Sequence, residues 1–113
     1  VKQLPREIVK HFDDLTSREA LFFLFHYSEN QARLENDIIH ELKVIGSPLK
    51  DESIEGERKK MCREGIMVYE EVQKEEQKGG SNPRVYKLSH RGLIEAEETV
   101  NGLLEKFRPA TTQ

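Results

Sequence analysis

The chain has 113 residues, 35% of them hydrophobic and 35% charged, and its 18 basic and 21 acidic side chains leave a net charge of −3. That length fits one domain around one core, and the gathering of Leu, Ile, Val and Phe into blocks excludes a chain too polar to fold. Cys62 is the only cysteine, which excludes an intramolecular disulfide, and with four scattered histidines it offers no zinc-ligand spacing.

The longest apolar run, Ala20 to Phe25, is far shorter than the roughly 20 residues of a membrane-spanning helix. No secretory leader pattern is present. The chain is therefore expected to be soluble and cytoplasmic, with no membrane partner.

In chain order, Leu4, Ile8, Phe12 and Leu15 recur at helical spacing, and Pro5 suits a first turn, which predicts a helix over about 5–14. Ser17 is the expected cap of a second helix ending near Tyr27, apolar on most of its circumference and so central to the core. A turn over Glu29–Gln31 leads to a very short strand at Ala32–Leu34. A third helix opens at Glu35 or Asn36 and presents Ile38, Ile39 and Leu42 inward; Lys43–Ser47 are expected to form the connection, with Gly46 as a candidate left-handed stop.

The fourth helix, from about Pro48 or Asp51 to Glu64 with Gly65 after it, carries the charge pattern that matters. Ile54, Met61 and Cys62 fall on one side with Arg58 between them, at about 100° per residue. The opposite face holds Glu52, Gly56, Lys59, Lys60 and Arg63. Arg58 is expected to pair with Glu55 or Glu57, or to reach the edge of the helix.

A strand over Ile66–Val72, a loop over Gln73–Pro83 and a returning strand over Arg84–Leu88 predict an antiparallel hairpin with a long tip. Ser89 then caps a last helix to about Phe107, with Leu93, Ala96, Val100, Leu103, Leu104 and Phe107 as its apolar stripe. The fold class is mainly α with a small β-hairpin. Residues 1–113 form one domain with its core over about 17–91 and its last helix over 92–107. The stripes of the first and last helices exceed what such a core needs. A homodimer is expected through Leu4, Ile8 and Phe12 together with Leu93, Val100, Leu103, Leu104 and Phe107.

No phosphate-binding glycine loop, nucleophile motif or metal-spaced cluster is present, so no enzyme activity, metal or cofactor is expected. Adjacent carboxylates such as Asp13-Asp14 and Glu70-Glu71 are too divergent to act as an acid and base pair.

The helix order, the Arg63-Glu64-Gly65-Ile66-Met67 step and the ending Gly79-Gly80-Ser81-Asn82-Pro83-Arg84-Val85-Tyr86-Lys87-Leu88-Ser89-His90-Arg91-Gly92 resemble winged helix-turn-helix regulators of the MarR and PadR type. The likeness spans about residues 17–107. In those families a wing leads through Tyr-x-Leu-Thr-x-x-Gly into a dimerising helix, and here Tyr86, Leu88, Ser89 and Gly92 stand in those places, with Ser for Thr.

The resemblance implies a dimeric, sequence-specific regulator of transcription bound to double-stranded DNA, with the fourth helix in the major groove. Lys59, Lys60 and Arg63 would meet phosphates or bases, with Lys50 at the helix start and Ser53 and Gly56 near base edges. On the wing, Lys78, Ser81, Asn82, Arg84 and Lys87 would follow the neighbouring backbone, with Arg84 placed for the minor groove. The alternative is a winged-helix adaptor that binds another protein, which the net negative charge and the acids Asp51, Glu52, Glu55, Glu75 and Glu76 favour. No residue identifies a small-molecule effector.

Overall fold

The structure is a computed structural model and describes residues 10–72 and 83–107. A 3-10 turn over Phe12–Asp14 leads to α1 (Ser17–Tyr27), a two-residue strand β1 (Arg33–Leu34), α2 (Glu35–Ile45) and α3 (Asp51–Arg63). Strands β2 (Met67–Glu71) and β3 (Arg84–Leu88) follow, and α4 (His90–Lys106) closes the described chain.

α1 begins at a reciprocal cap. The Thr16 hydroxyl accepts from the Glu19 amide at 3.2 Å, and the Glu19 carboxylate accepts from the Thr16 amide at 2.9 Å. The cap is therefore Thr16 rather than Ser17, because only Thr16 has an acid three residues on to answer it. Every side chain from Ala20 to Phe25 is buried, and both α3 and α4 pack on the helix.

Of the expected first helix the described residues hold Lys10, in helical conformation, and then the Phe12–Asp14 turn, with Phe12 buried 6.4 Å from the Phe23 ring. Leu4 and Ile8 lie outside the described residues. Phe12, Val100 and Leu103 all belong to the core of this same chain. These three expected dimer contacts are covered by the chain's own α1 side, which leaves Leu93, Leu104 and Phe107 as the outer part of that set.

α2 ends at Gly46, whose φ of 108° is left-handed, and the Ser47 amide returns to the Leu42 carbonyl at 3.0 Å. α2 and α3 thereby form a helix-turn-helix pair. Ile54, Arg58 and Met61 are the buried residues of α3.

The sheet has three antiparallel strands in the order β1-β3-β2, one more than a simple hairpin. Tyr86 stands opposite Arg33 on one side and Tyr69 on the other. β1 is too short to reach Leu88. Asn30, in a left-handed conformation at φ 56°, takes over there: its side-chain amide donates to the Leu88 carbonyl at 3.0 Å and its side-chain oxygen accepts from the Leu88 amide at 2.8 Å. One side chain thus completes the inner edge of β3, where an unpaired backbone would be costly.

The passage from β3 into α4 accounts physically for the Tyr-x-Leu-Ser-x-x-Gly spacing. Tyr86 and Leu88 alternate inward and are buried. Ser89 caps α4 by accepting from the Gly92 amide at 3.1 Å. A Cβ on Gly92 would lie 2.0 Å from the backbone oxygen of Ile66, so only glycine lets α4 approach the start of β2 this closely.

Candidate nucleic-acid interface

α3 has a helix's worth of charge, and tertiary contacts decide which charges face solvent unpaired. Glu52, Gly56, Lys59, Lys60 and Arg63, the face anticipated from helical periodicity, are exposed, and so is Ser53. Lys50 is also exposed, at the N-cap of α3, with its backbone oxygen accepting from Ser53 and Ile54.

Glu57, Glu64 and Asp51 are engaged elsewhere. Arg18 of α1 donates through Nε to Glu57 at 2.9 Å and through Nη2 to Glu64 at 2.5 Å. Lys43 pairs with Asp51 at 2.8 Å. Among the described residues, Lys59, Lys60 and Arg63 form no ion pair. The Arg18 hydrogen bond holds the Glu64 carboxyl below its ordinary value despite some desolvation, and the same bond raises the Arg18 guanidinium.

Arg58 does not pair with a neighbour on its own helix. It crosses to Glu35 at the start of α2, at 2.8 Å, and lies over the Tyr86 ring at 4.4 Å. Glu57 is unavailable to it because Arg18 holds that carboxylate. Arg58 occupies a position where a helix normally buries a leucine, and its stem and guanidinium plane fill the space against an aromatic face. Beside it, burial raises the Cys62 thiol, outweighing the opposing charges of Arg58 and Arg84.

Arg84 leaves β3 on the sheet face that carries Tyr69 and Tyr86. Its guanidinium sits 4.6 Å over the Tyr69 ring and 4.0 Å from Glu71. Lys87, three residues on, is turned by strand alternation to the opposite face, against Val68 in the register. Arg84 and Lys87 therefore leave β3 on opposite faces of the sheet. Lys78, Ser81 and Asn82 lie outside the described residues.

Two residues escaped sequence reasoning. Arg18 finds its partners 39 and 46 residues away, and Asn30 finds Leu88 58 residues away, so no local spacing signals either. Among the described residues no three His, Cys, Asp or Glu side chains gather as a metal would require. No described helix is long and apolar enough to cross a membrane.

No protein-family model and no curated protein matches the sequence. Solved structures do. A PadR-like transcription factor from Bacteroides fragilis superposes with a TM-score of 0.58 at 23% identity, over 79% of this chain and 84% of that one. The circadian clock associated protein Pex from Anabaena superposes with a TM-score of 0.59 at 14% identity, over 91% of this chain and 95% of that one. At such identities the likeness is one of fold, and the fold is that of PadR-like winged-helix proteins.

Proposed function

We propose that the chain is a double-stranded DNA-binding regulator of transcription, a binding protein and not an enzyme, that acts as a soluble cytoplasmic dimer. The observation that carries this is the exposed face of α3, where Lys59, Lys60 and Arg63 form no ion pair among the described residues while Glu57, Glu64 and Asp51 are held by Arg18 and Lys43. That distribution answers the objection of a net charge of −3, because the phosphate backbone meets the local surface and not the average. The two structural neighbours include a transcription factor, which supports the same reading.

In this reading α3 enters the major groove. Gly56, with no heavy atom near its absent Cβ, and Ser53 let the helix approach base edges, while Lys59, Lys60 and Arg63 meet phosphates or guanine edges. Arg84 reaches the adjacent backbone or minor groove from the wing. The second copy joins through the outer flank of α4, where Leu93 and Ile94 are exposed and Leu104 and Phe107 are half-buried.

Fluorescence anisotropy with duplex DNA over a salt series tests the proposal. Wild type is expected to bind with an affinity that falls steeply with salt, and Lys59→Glu with Arg63→Glu to weaken binding and flatten the slope by about one per lost phosphate contact. No binding at low salt overturns it and leaves the protein-binding adaptor. Sedimentation of wild type against Ile94→Lys tests the dimer, which is lost in the variant if α4 forms the contact.

A further inference from the structure

Among the basic residues of the α3 face, Lys60 alone has an acid at helical spacing both before and after it. Glu57 lies three residues before it and Glu64 four after it, the two spacings at which helical side chains meet. Either carboxylate would satisfy its ammonium. Neither does, and both are held by a single guanidinium from another helix: Arg18 contacts Glu57 at 2.8 Å and Glu64 at 2.5 Å. Arg18 is only partly exposed, at 27%, and a planar fork of donors suits it to hold two carboxylates at once. Lys60 remains exposed, near enough to Glu64 for their charges to interact, yet forms no ion pair among the described residues.

We infer that Arg18 is a positioning residue for nucleic-acid binding: by holding Glu57 and Glu64 it keeps Lys60 available to a phosphate backbone. This rests on the DNA-binding reading above and deepens it by assigning a determinant on α1, outside the recognition helix. Without Arg18 the two carboxylates turn to Lys60, so that one cation leaves the contact surface and a net negative charge takes its place.

The test uses the full chain, with urea unfolding confirming that each variant is folded. Arg18→Met is expected to lower affinity for a fluorescent DNA duplex roughly five- to tenfold at low salt, with the deficit shrinking as salt rises. Adding Glu57→Gln and Glu64→Gln to it is expected to restore binding, since the carboxylates that captured Lys60 are gone. Lys60→Met is expected to flatten the salt slope by about one in the wild-type background and to do little more in Arg18→Met. A triple variant as weak as Arg18→Met overturns the proposal, because Arg18 would then matter only for packing α1 on α3. Undiminished affinity in Arg18→Met overturns it as well.

A second readout needs no DNA. The rate at which an acetylating ester modifies Lys60, followed by peptide mass spectrometry, is expected to fall in Arg18→Met and recover in the triple variant. If wild type binds no DNA, the functional reading fails, and the acetylation rates alone decide the role of Arg18: equal rates in all three proteins overturn it.

Discussion

The two flanks of α3 treat charge in opposite ways. On the α1 flank an arginine from outside the helix neutralises two of its carboxylates, in contacts that remain partly open to water. On the wing flank the helix supplies the arginine itself: Arg58 is buried, paired with Glu35 and laid on the Tyr86 ring, with Arg84 on Tyr69 further out. Open ion pairs add little stability but set which charges a partner meets. A buried guanidinium on an aromatic face adds packing that the fold needs and shows little charge to the outside. The difference separates residues that hold α3 in place from residues that decide what it displays.

The largest effect is expected on the wing flank. Arg58→Ala removes the stem and guanidinium plane over Tyr86 and is expected to cost about 2–4 kcal/mol in urea unfolding. Arg58→Met, which keeps the volume and removes a buried Nε that meets no acceptor among the described residues, is expected to cost less than about 1.5 kcal/mol. Equal losses in the two variants would show that the ion pair with Glu35, and not packing, is what the site contributes.

Arg18→Met is the matching variant on the other flank. Its unfolding midpoint is expected to move less than that of Arg58→Ala, while its DNA affinity moves more than that of Arg58→Met. The reverse pattern would erase the contrast between the flanks.

A smaller effect is expected in acid. Glu64's carboxyl is held below its ordinary value of 4.5, mainly by the hydrogen bond from Arg18. A carboxyl lowered in the folded state contributes stability above its unfolded value and loses it as pH falls through the lower folded one. Wild type is therefore expected to lose slightly more stability than Glu64→Gln over that acid window, in unfolding curves measured at successive pH values. Smallest is the chemistry of Cys62. With its thiol raised by burial, alkylation by iodoacetamide near neutral pH is expected to be slower than for a free cysteine and to accelerate in urea.

Much of this architecture is legible along the chain because its causes are local. The stop of α2 at Gly46, the boundaries of β3 and the Ser89 cap follow from turn chemistry, capping oxygens and alternation within a few residues. The same locality misleads where two candidates compete nearby. Ser17 looks like a cap until Thr16 is seen to share its bond with Glu19. The amphipathic stripe of α4 reads as surplus until Val100 and Leu103 are found in the chain's own core.

By itself, then, the sequence determined a winged-helix chain with a basic outer face on α3, because helical and strand periods sort side chains without knowledge of distant partners. Tertiary packing settled which of those charges form no ion pair among the described residues. Arg18 reaches Glu57 and Glu64, Arg58 reaches Glu35, Asn30 completes β3, and Arg84 parts company with Lys87. Each outcome depends on two elements brought together by packing, and the strength of an ion pair or a hydrogen bond is set by a distance that spacing along the chain does not contain.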